Sequence, residues 1–565
     1  MNRAVFPMAN SGRPSLADDV VLTVSDLIVE AKVADRWSPI VSGVNFILKR
    51  GEVLGLVGES GAGKSTIGLA ALGYMRPGCR IRSGKIVFDG MNILDLPERH
   101  QRRLRGVRIA YVAQSAAASF NPSIRLIDQI VEAAVSRGGQ ARAEAEAYAQ
   151  TLFEALRLPE PRLFGKRYPH QVSGGQLQRA MVAMAMMCKP DLIVFDEPTT
   201  ALDVTTQVDV LISMREAIQQ FGVAALYITH DLAVVAQMAD RIMVLRHGET
   251  IEEGRVSKML THPEHPYTRS LWAVHKIPTR ERFDAPELLS INDVGAFYGS
   301  FQALQGVSVT VGYGQTVAVV GESGSGKSTL GRIIAGLKAP ANGAVTFKGQ
   351  PCAPLVQMRA KEMLRKIQII YQSADTALNP RHTVRKIIGR PLKFYHGLSN
   401  SARMRRIVEL LNMVELDASY VDRLPAQLSG GQRQRVAIAR ALAAEPELIV
   451  CDEITSALDQ IVQAEILRML VSLQQRLGVS YLFITHDLAT VRAIADDVVI
   501  MNQGKVVEQG PKERVLAPPY KPYTQLLLSS VPEMSEDWLD GVVAGRNDPS
   551  RCSGRAPQTP SPDRR

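Results

Sequence analysis

The chain has few cysteines and no long hydrophobic run. Only 5 of its 565 residues are cysteine, and they are widely separated with no CxxC pair. This argues against a disulfide framework and against a zinc or iron–sulfur site. The longest apolar stretches, such as 180–188, are much shorter than the roughly 20 residues that a membrane-spanning helix needs. We therefore expect a chain that does not cross a membrane alone and works in a reducing cytoplasm.

Neither positively nor negatively charged residues are concentrated in one part of the sequence. The net charge of +10 is spread over both halves, so no basic block indicates a dedicated nucleic-acid surface. The basic segment 98–108 is interpreted as a solvated helix instead of an RNA-binding stretch. The N-terminal segment has one early arginine and no apolar core, and it does not look like a secretion signal.

What the chain does contain is one set of motifs that occurs twice. The pairs are GESGAGKST (58–66) with GESGSGKST (321–329), VSGGQ (172–176) with LSGGQ (428–432), and LIVFDEPTTALD (192–203) with LIVCDEITSALD (448–459). The SGGQ serine, the Walker-B aspartate and the THDL histidine each recur 256 residues later. A period of this length indicates two whole domains in one polypeptide, not a solenoid of short repeats.

Composition and motif positions divide the chain into five predicted segments. These are a flexible leader (1–19), a first domain (20–254), a linker with an HPYT motif (255–287), a second domain with a KPYT motif (288–534) and a disordered tail (535–565). The linker lacks helical or strand periodicity, and the tail is rich in Pro, Ser, Gly and Arg. In each domain a short β-branched run leads into a glycine loop and a helix pattern, which begins a P-loop α/β unit.

The two glycine loops are predicted to hold the phosphates of ATP. Glycine lets the backbone wrap around a triphosphate, and the following helix N-terminus adds partial positive charge. The lysine then reaches the β- and γ-phosphates, and the next serine offers its hydroxyl to Mg²⁺. The candidates are Gly58, Gly61, Gly63, Lys64, Ser65 and Thr66 in the first half, and Gly321, Gly324, Gly326, Lys327, Ser328 and Thr329 in the second.

Two consecutive carboxylates end an apolar strand in each half. Asp196 and Asp452 are at the position from which a carboxylate can hold the Mg²⁺ shell. Glu197 and Glu453 follow directly and are placed to polarise the attacking water as general bases. The motifs therefore predict ATP hydrolysis.

Together these motifs resemble the nucleotide-binding domains of ATP-binding cassette (ABC) proteins, over nearly the whole chain except leader, linker and tail. The SGGQ motif distinguishes this family from other P-loop families. The resemblance implies two P-loop ABC ATPase domains of α/β class, each with a RecA-like core, an antiparallel β subdomain and a helical subdomain that carries SGGQ. It also implies a head-to-tail ATP sandwich, within one chain or between chains, in which the SGGQ helix N-terminus faces the other domain's γ-phosphate.

The resemblance assigns further residues by position. The signature residues are Ser173, Gly174, Gly175 and Gln176, and Ser429, Gly430, Gly431 and Gln432. Gln114 and Gln372 match the Q-loop glutamine that touches Mg²⁺ and the transmembrane partner. Asp203 and Asp459 match the D-loop aspartate, and His230 and His486 match the switch histidine near the γ-phosphate. The implied Mg²⁺ set is Ser65, Gln114, Asp196, Ser328, Gln372 and Asp452, and the implied catalytic set is Glu197, Glu453, His230 and His486.

The two halves differ at the adenine position. Tyr298, 23 residues before Gly321, is placed like the family's aromatic that stacks on adenine. The same spacing in the first half falls on Asp35, and the nearest aromatic is Trp37. Adenine stacking in the first site is therefore expected only if Trp37 substitutes. Because both halves keep the lysine, glutamate and histidine, we predict two competent sites.

An Asn-Pro pair after each Q-loop and the repeated HPYT/KPYT motif (265–268 and 521–524) resemble the dipeptide, oligopeptide, glutathione and nickel branch of bacterial importers. This resemblance implies a fused ATP-hydrolysing subunit that energises import through two separate permease subunits. A periplasmic or extracellular binding protein would act indirectly, and the chain would be peripheral on the cytoplasmic face of the inner membrane. Nucleic acid is not an expected partner. Since only Cys552 lies near the C-terminus, no iron–sulfur cluster is expected.

Three alternatives remain at this point. A sugar-type importer ATPase fusion is disfavoured by the repeated HPYT motif. A soluble twin-cassette translation factor is disfavoured by the short, proline-containing linker. A DNA-repair cassette ATPase would need zinc-binding cysteines or a long coiled-coil insertion, and this sequence has neither. The transported substrate is open, because in this family the permeases and the binding protein select it.

Overall fold

The computed structural model describes residues 19–33, 35–200, 202–273, 285–456 and 458–547. These residues form two compact units. The first unit consists of the residues up to Leu202, of Asp209–Thr268 and of the residues from Glu533 onwards. The second unit consists of Asp203–Val208 and Arg269–Pro532. Across the described ranges, no helix has the length and apolar character needed to cross a membrane.

The strands of residues 19–273 form two sheets. They are β1 (Val20–Val33), β2 (Arg36–Lys49), β3 (Val53–Gly58), β4 (Cys79–Phe88), β5 (Met91–Asn92), β6 (Ile109–Val112), β7 (Leu192–Asp196), β8 (Ala224–Ile228), β9 (Arg241–Arg246) and β10 (Glu249–Arg255). One sheet is antiparallel, in the order β2-β1-β4-β5. The other has the order β10-β9-β3-β8-β7-β6 and is parallel except for the β9–β10 pair.

The helices of the same residues cover the six-stranded sheet and build a helical region between β6 and β7. They are α1 (Lys64–Ala71), α2 (Glu98–Leu104), α3 (Ala116–Ser119), α4 (Leu126–Ser136), α5 (Arg142–Ala155), α6 (Pro161–Phe164), α7 (Gly174–Met186), α8 (Val204–Phe221), α9 (Leu232–Met238), α10 (Val256–Thr261) and α11 (Pro266–Ala273), with 3-10 turns at Ile93–Asp95 and Pro169–Gln171. In α4, Leu126, Ile130 and Ala134 are buried. Their spacing of four puts them on one face, which packs against α5 and α7.

Residues 285–529 repeat this arrangement. The strands are β11 (Glu287–Tyr298), β12 (Phe301–Gly312), β13 (Thr316–Val320), β14 (Asn342–Phe347), β15 (Gln350–Pro351), β16 (Ile367–Ile370), β17 (Leu448–Asp452), β18 (Ser480–Thr485), β19 (Asp497–Asn502) and β20 (Lys505–Pro511). The antiparallel sheet has the order β12-β11-β14-β15, and the larger sheet the order β16-β17-β18-β13-β19-β20.

The helices of the repeat follow in the same sequence. They are α12 (Lys327–Ile334), α13 (Lys361–Lys366), α14 (Ala374–Ala377), α15 (Val384–His396), α16 (Asn400–Met413), α17 (Gly430–Leu442), α18 (Gln460–Leu477), α19 (Leu488–Ile494), α20 (Lys512–Val515) and α21 (Pro522–Ser529), with 3-10 turns at Val356–Met358, Ala418–Tyr420 and Pro425–Gln427. The helices α14–α17 lie between β16 and β17, as α3–α7 lie between β6 and β7. The expected α/β architecture with a parallel core, an antiparallel sheet and a helical region is therefore confirmed.

The parallel core strands explain where the sites form. Every residue of β3, β7 and β8 is buried, as is typical of parallel strands covered by helices on both faces. These three strands are neighbours, so the loops that follow them leave the same edge of the sheet. The phosphate loop, the Walker-B carboxylates and the switch histidine are the residues in those loops.

The predicted linker 255–287 is only partly irregular. Its first part contains α10 and α11, and residues up to Thr268 belong to the first unit. Pro266 is the first residue of α11, where the missing N–H costs nothing. Residues 274–284 lie outside the described ranges, as does nearly all of the predicted leader.

The predicted disordered tail is helical at its start. Helix α22 (Trp538–Asn547) belongs to the first unit. The side-chain amide of Gln237 donates to the carbonyl oxygens of Glu533, at 3.1 Å, and Ser535. Its oxygen accepts from the Leu539 N–H at 2.9 Å, and Leu539 is fully buried. The expectation was wrong here because the Pro- and Arg-rich composition belongs mainly to residues 548–565, which lie outside the described ranges.

Replacing Leu539 with alanine should weaken the first unit. Deleting a fully buried leucine side chain removes apolar contacts and leaves a cavity, so we expect a loss of about 2–5 kcal/mol in the free energy of unfolding. Urea titration followed by circular dichroism measures this. The matched control is Leu526→Ala, at a leucine that is 41 % exposed. Equal, small effects of the two substitutions would show that α22 does not stabilise the unit.

Candidate active site

The first phosphate loop needs glycine because its backbone runs against a neighbouring strand. A Cβ atom built on Gly58 would lie 2.1 Å from the carbonyl oxygen of Leu245 in β9. Gly63, which precedes α1, has φ 94°, a conformation that side chains disfavour. The second loop shows the same constraints, since a Cβ on Gly321 would lie 2.1 Å from the carbonyl oxygen of Met501.

Each Walker lysine is buried and bonded to its own loop. Lys64 is 6 % exposed, and its Nζ donates to the carbonyl oxygens of Gly58 and Glu59 at 2.7 and 2.9 Å. In the second unit, Lys327 Nζ donates to the carbonyl oxygens of Gly321 and Glu322, both at 2.8 Å. Burial lowers the pKa of Lys327. The positions of the first two peptides of each loop therefore determine where the ammonium group lies.

A hydroxyl–carboxylate pair joins each phosphate loop to the neighbouring strand end. Ser65 Oγ donates to Asp196 Oδ1 at 2.8 Å, and Ser328 Oγ donates to Asp452 Oδ1 at 2.9 Å. Both aspartates are more than nine-tenths buried. The two oxygen types are those that hard cations such as Mg²⁺ prefer.

The glutamate that follows each aspartate is held by the Q-loop glutamine and the switch histidine. In the first unit, Gln114 Nε2 donates to Glu197 Oε2 at 2.9 Å, and His230 Nδ1 lies 3.1 Å from Oε1. Glu197 has φ 50°, a strained conformation that is common at functional positions. The sequence-predicted Walker, Q-loop and switch residues of this half are thus brought together around one carboxylate.

The second unit repeats this cluster with one longer contact. Gln372 Nε2 donates to Glu453 Oε2 at 2.8 Å, and Glu453 has φ 49°. His486 Nδ1 lies 3.6 Å from Glu453 Oε1, compared with 3.1 Å in the first unit. The same side chains are present in both clusters, with a looser histidine contact in the second.

Both glutamates are held in the ionised form. Burial opposes the charge of Glu197, but the hydrogen bond and charge of His230, with the charge of Lys64, lower its pKa. The nearby His486 is the main cause that lowers the pKa of Glu453. Each carboxylate can therefore accept a proton from a bound water near neutral pH.

The signature residues cap helices in both units. Gln176 N donates to Ser173 Oγ at 3.3 Å, and Ser173 N donates to Gln176 Oε1 at 3.1 Å. Ser429 and Gln432 form the same reciprocal cap on α17. This capping box leaves the glycine N–H groups at the start of the helix, where anions bind well. That these ends face a γ-phosphate remains a prediction.

The D-loop aspartates also occupy helix starts. Asp203 Oδ1 accepts from Thr206 N at 3.0 Å, and Asp459 Oδ1 accepts from Val462 N at 3.1 Å. Both therefore stabilise the first turn of the helix that follows Walker B. Their predicted role at the nucleotide stays a prediction.

The adenine-side aromatics differ between the units as the sequence suggests. The ring of Tyr298 is 44 % exposed, and Lys338 Nζ lies 4.0 Å from its centroid. In the first unit, Trp37 is 38 % exposed, and the Arg80 guanidinium lies 4.1 Å from its ring. Both Tyr298 and Trp37 are thus exposed aromatics beside a cation, and the stacking of either on adenine stays a prediction.

One contact in the first site, between Tyr111 and Asp196, was not predicted from the sequence. Tyr111, the third residue of β6, donates its hydroxyl to Asp196 Oδ2 at 2.7 Å. Burial and Asp196 raise the pKa of this phenol. The corresponding position in β16 is Ile369, and burial raises the pKa of Asp452. A tyrosine in the strand before the Q-loop is visible in the sequence, but only the pairing of β6 with β7 shows that its hydroxyl reaches Asp196.

Comparisons with known proteins agree with this geometry. The ABC transporter family profile matches residues 41–200 and 304–456. The chain belongs to this family. A second profile, the C-terminal region of oligopeptide/dipeptide transporters, matches residues 251–287 and 507–554. The chain is thus a fused pair of ABC ATPases of the peptide-type branch that binds and hydrolyses ATP.

Two relatives cover almost the whole chain. The glutathione import ATP-binding protein GsiA of Salmonella typhimurium is 36 % identical over 589 residues, covering 96 % of this chain and 94 % of that protein. The peptidoglycan transport ATP-binding protein YejF of Agrobacterium fabrum is 40 % identical over 529 residues, covering 90 % and 96 %. An archaeal ribosome recycling factor, aABCE1, solved with a ribosomal stalk protein, has TM-score 0.58 at 20 % identity, covering 86 % of this chain and 90 % of that one. That likeness shows the twin-cassette fold alone.

The double variant Glu197→Gln/Glu453→Gln should bind ATP and fail to hydrolyse it. Glutamine keeps the shape and the hydrogen-bonding partners but cannot accept the proton from water, so we expect turnover to fall by about 10²–10⁴. Phosphate release measures turnover, and equilibrium titration with ATP measures binding. Glu144→Gln, at an exposed glutamate, is the control. Turnover of the double variant at the parent rate would refute the general-base assignment.

Proposed function

We propose that this chain energises the import of peptides or a peptide-like solute such as glutathione through two separate permease subunits. The observation that carries the proposal is the match of both cassette ends to the oligopeptide/dipeptide transporter C-terminal region. The names of the two full-length relatives, a glutathione import and a peptidoglycan transport protein, support it. In this role the chain is peripheral on the cytoplasmic face of the inner membrane, and a periplasmic or extracellular binding protein delivers the substrate.

We propose that Mg²⁺ accompanies ATP in both sites. The bonded pair Ser65 and Asp196 fits this ion, and Ser328 and Asp452 form the equivalent pair. Gln114 and Gln372, which are bonded to the neighbouring glutamates, complete the two proposed sets. When bound, Mg²⁺ neutralises charge on the β- and γ-phosphate oxygens. In the hydrolysis step the glutamate takes a proton from the attacking water, and the histidine and glutamine orient that carboxylate.

The second unit offers a basic groove that suits a permease subunit. A cavity of about 940 Å³ lies along α15 and α16, after the Q-loop. Its cationic lining residues are Arg385, Lys386, Arg390, Lys393 and Arg403, and His382 lies beside them. Burial, with the charges of Lys386 and Arg390, lowers the pKa of His382. Apolar Phe394, Met404 and Ile407 complete the lining, so an acidic amphipathic helix is the complementary partner.

The same position in the first unit carries the opposite charge. Helices α4 and α15 begin the same number of residues after Gln114 and Gln372, so Asp128 and Glu132 take the register positions of Lys386 and Arg390. Asp128 is already paired with Arg142. The two cassettes therefore present different surfaces, which suits two non-identical permease subunits.

Reconstitution tests the importer function. When the chain is purified with its two membrane subunits and placed in vesicles, a binding protein loaded with a peptide or glutathione should raise ATP hydrolysis several-fold. The complex carrying Glu197→Gln and Glu453→Gln should show no such response. Full hydrolysis without any binding protein, or co-sedimentation with ribosomes instead of membrane subunits, would rule the proposal out.

Charge reversal tests the groove. Lys386→Glu with Arg390→Glu should release the chain from the membrane subunits at low salt, because like charges across a protein interface cost several kcal/mol. The matched control is Asp128→Lys with Glu132→Lys in the first unit, which leaves the groove of the second unit unaltered and should keep the salt dependence of its interaction at the parent's value. Retention of the charge-reversed chain in a pull-down, with unchanged salt dependence, would contradict acidic docking in this groove.

A further inference from the structure

The HPYT and KPYT motifs lie close to the phosphate loops, although they are about 200 residues away in the chain. In the second unit, the backbone N–H of Glu322 donates to the Tyr523 hydroxyl at 3.4 Å. Glu322 is the second residue of the phosphate loop. In the first unit, burial and the neighbouring Glu59 carboxylate raise the pKa of Tyr267, and Tyr267 is 6 % exposed. Glu59 occupies the same loop position as Glu322, so each tyrosine lies beside the second residue of its own phosphate loop, and the hydrogen bond of Tyr523 gives the geometry of that contact.

The rest of the motif anchors the tyrosine to the last strand of each large sheet. In the first unit, the Glu252 carboxylate of β10 accepts from the N–H groups of Glu264 and His265 at 2.8 and 3.0 Å. In the second, the Thr524 hydroxyl donates to Glu508 of β20. Thr524 is fully buried. The motif is therefore a fixed helix start on the sheet, not a mobile turn.

In the second unit, the peptide that Tyr523 contacts also holds the Walker lysine. The Glu322 N–H donates to Tyr523, and the carbonyl oxygen of Gly321, on the same peptide group, accepts from Lys327 Nζ at 2.8 Å. In the first unit, the Glu59 carbonyl oxygen accepts from Lys64 Nζ at 2.9 Å. A shift of this residue would move the lysine that reaches the β- and γ-phosphates.

We propose that Tyr267 and Tyr523 are positioning residues for the phosphate loops, holding the second loop residue so that the Walker lysine is aligned for ATP. The side chains reach the loop from α11 and α21, and α21 packs in the same apolar cluster as β13 and α19. Helix α19 begins at Leu488, two residues after His486. The KPYT motif therefore lies beside the apolar cluster that the strand before the phosphate loop shares with the helix after the switch histidine. The proposal concerns nucleotide binding and stands independently of any transported substrate.

Removing only the hydroxyl tests this role. Nucleotide binding to each cassette is measured separately in the full-length chain, after the site of the other cassette has been disabled with Lys64→Ala or Lys327→Ala. In the Lys64→Ala chain, Tyr523→Phe should raise the Kd for the non-hydrolysable analogue AMP-PNP with Mg²⁺ about five-fold, the effect of losing one hydrogen bond. The melting temperature should stay near that of the parent, because the ring still packs. Tyr267→Phe should act likewise in the Lys327→Ala chain.

Two further variants separate positioning from packing. Tyr313→Phe, at a tyrosine that is 36 % exposed, is the control and should leave the Kd unchanged. Tyr523→Ala should raise the Kd and also lower the melting temperature. If Tyr523→Phe and Tyr267→Phe bind AMP-PNP as tightly as Tyr313→Phe, the tyrosines only pack and the proposal is overturned. A higher Kd at an unchanged melting temperature supports it.

Discussion

The common edge at which the parallel strands end is the constraint on which both sites depend. In the first unit β3, β8 and β7 are adjacent, and in the second β13, β18 and β17 are adjacent. The loops after these strands carry the lysine, the histidine and the two carboxylates of each half. Parallel pairing brings residues that are more than 130 positions apart in the chain within hydrogen-bonding distance, as with Ser65 and Asp196. Without this register the motifs would be present but would not form a site.

Buried charges in each site are matched by nearby partners. Lys64 and Lys327 donate to loop carbonyls, and each general-base glutamate has a glutamine and a histidine beside it. A buried charge without such partners would be costly. The networks therefore keep the site preformed, with the carboxylate ionised and the loop held in position, before the chemistry of phosphoryl transfer begins.

The two halves share the residues for hydrolysis but differ around them. Tyr111 contacts Asp196 in the first unit, whereas the second has Ile369 at that position. The helix after the Q-loop is acidic in the first unit and basic in the second, and α22 belongs to the first unit alone. A fused chain permits such differences, because each half can adapt to its own neighbours while both keep the residues for hydrolysis.

The sequence by itself determined the two cassettes, the chemistry of each loop and the order of the motifs, because glycine, lysine and paired carboxylates at these spacings have few other uses. It also indicated the differing adenine-side aromatics. Only the tertiary structure decided that Tyr111 reaches Asp196, that Gln237 and Leu539 hold α22, and that Tyr523 meets Glu322. These contacts join segments far apart in the chain, and residue type alone does not reveal them. Composition was misleading for 255–268 and 538–547, because the helical residues there are stabilised by packing on the first unit instead of by a strong periodic pattern of their own.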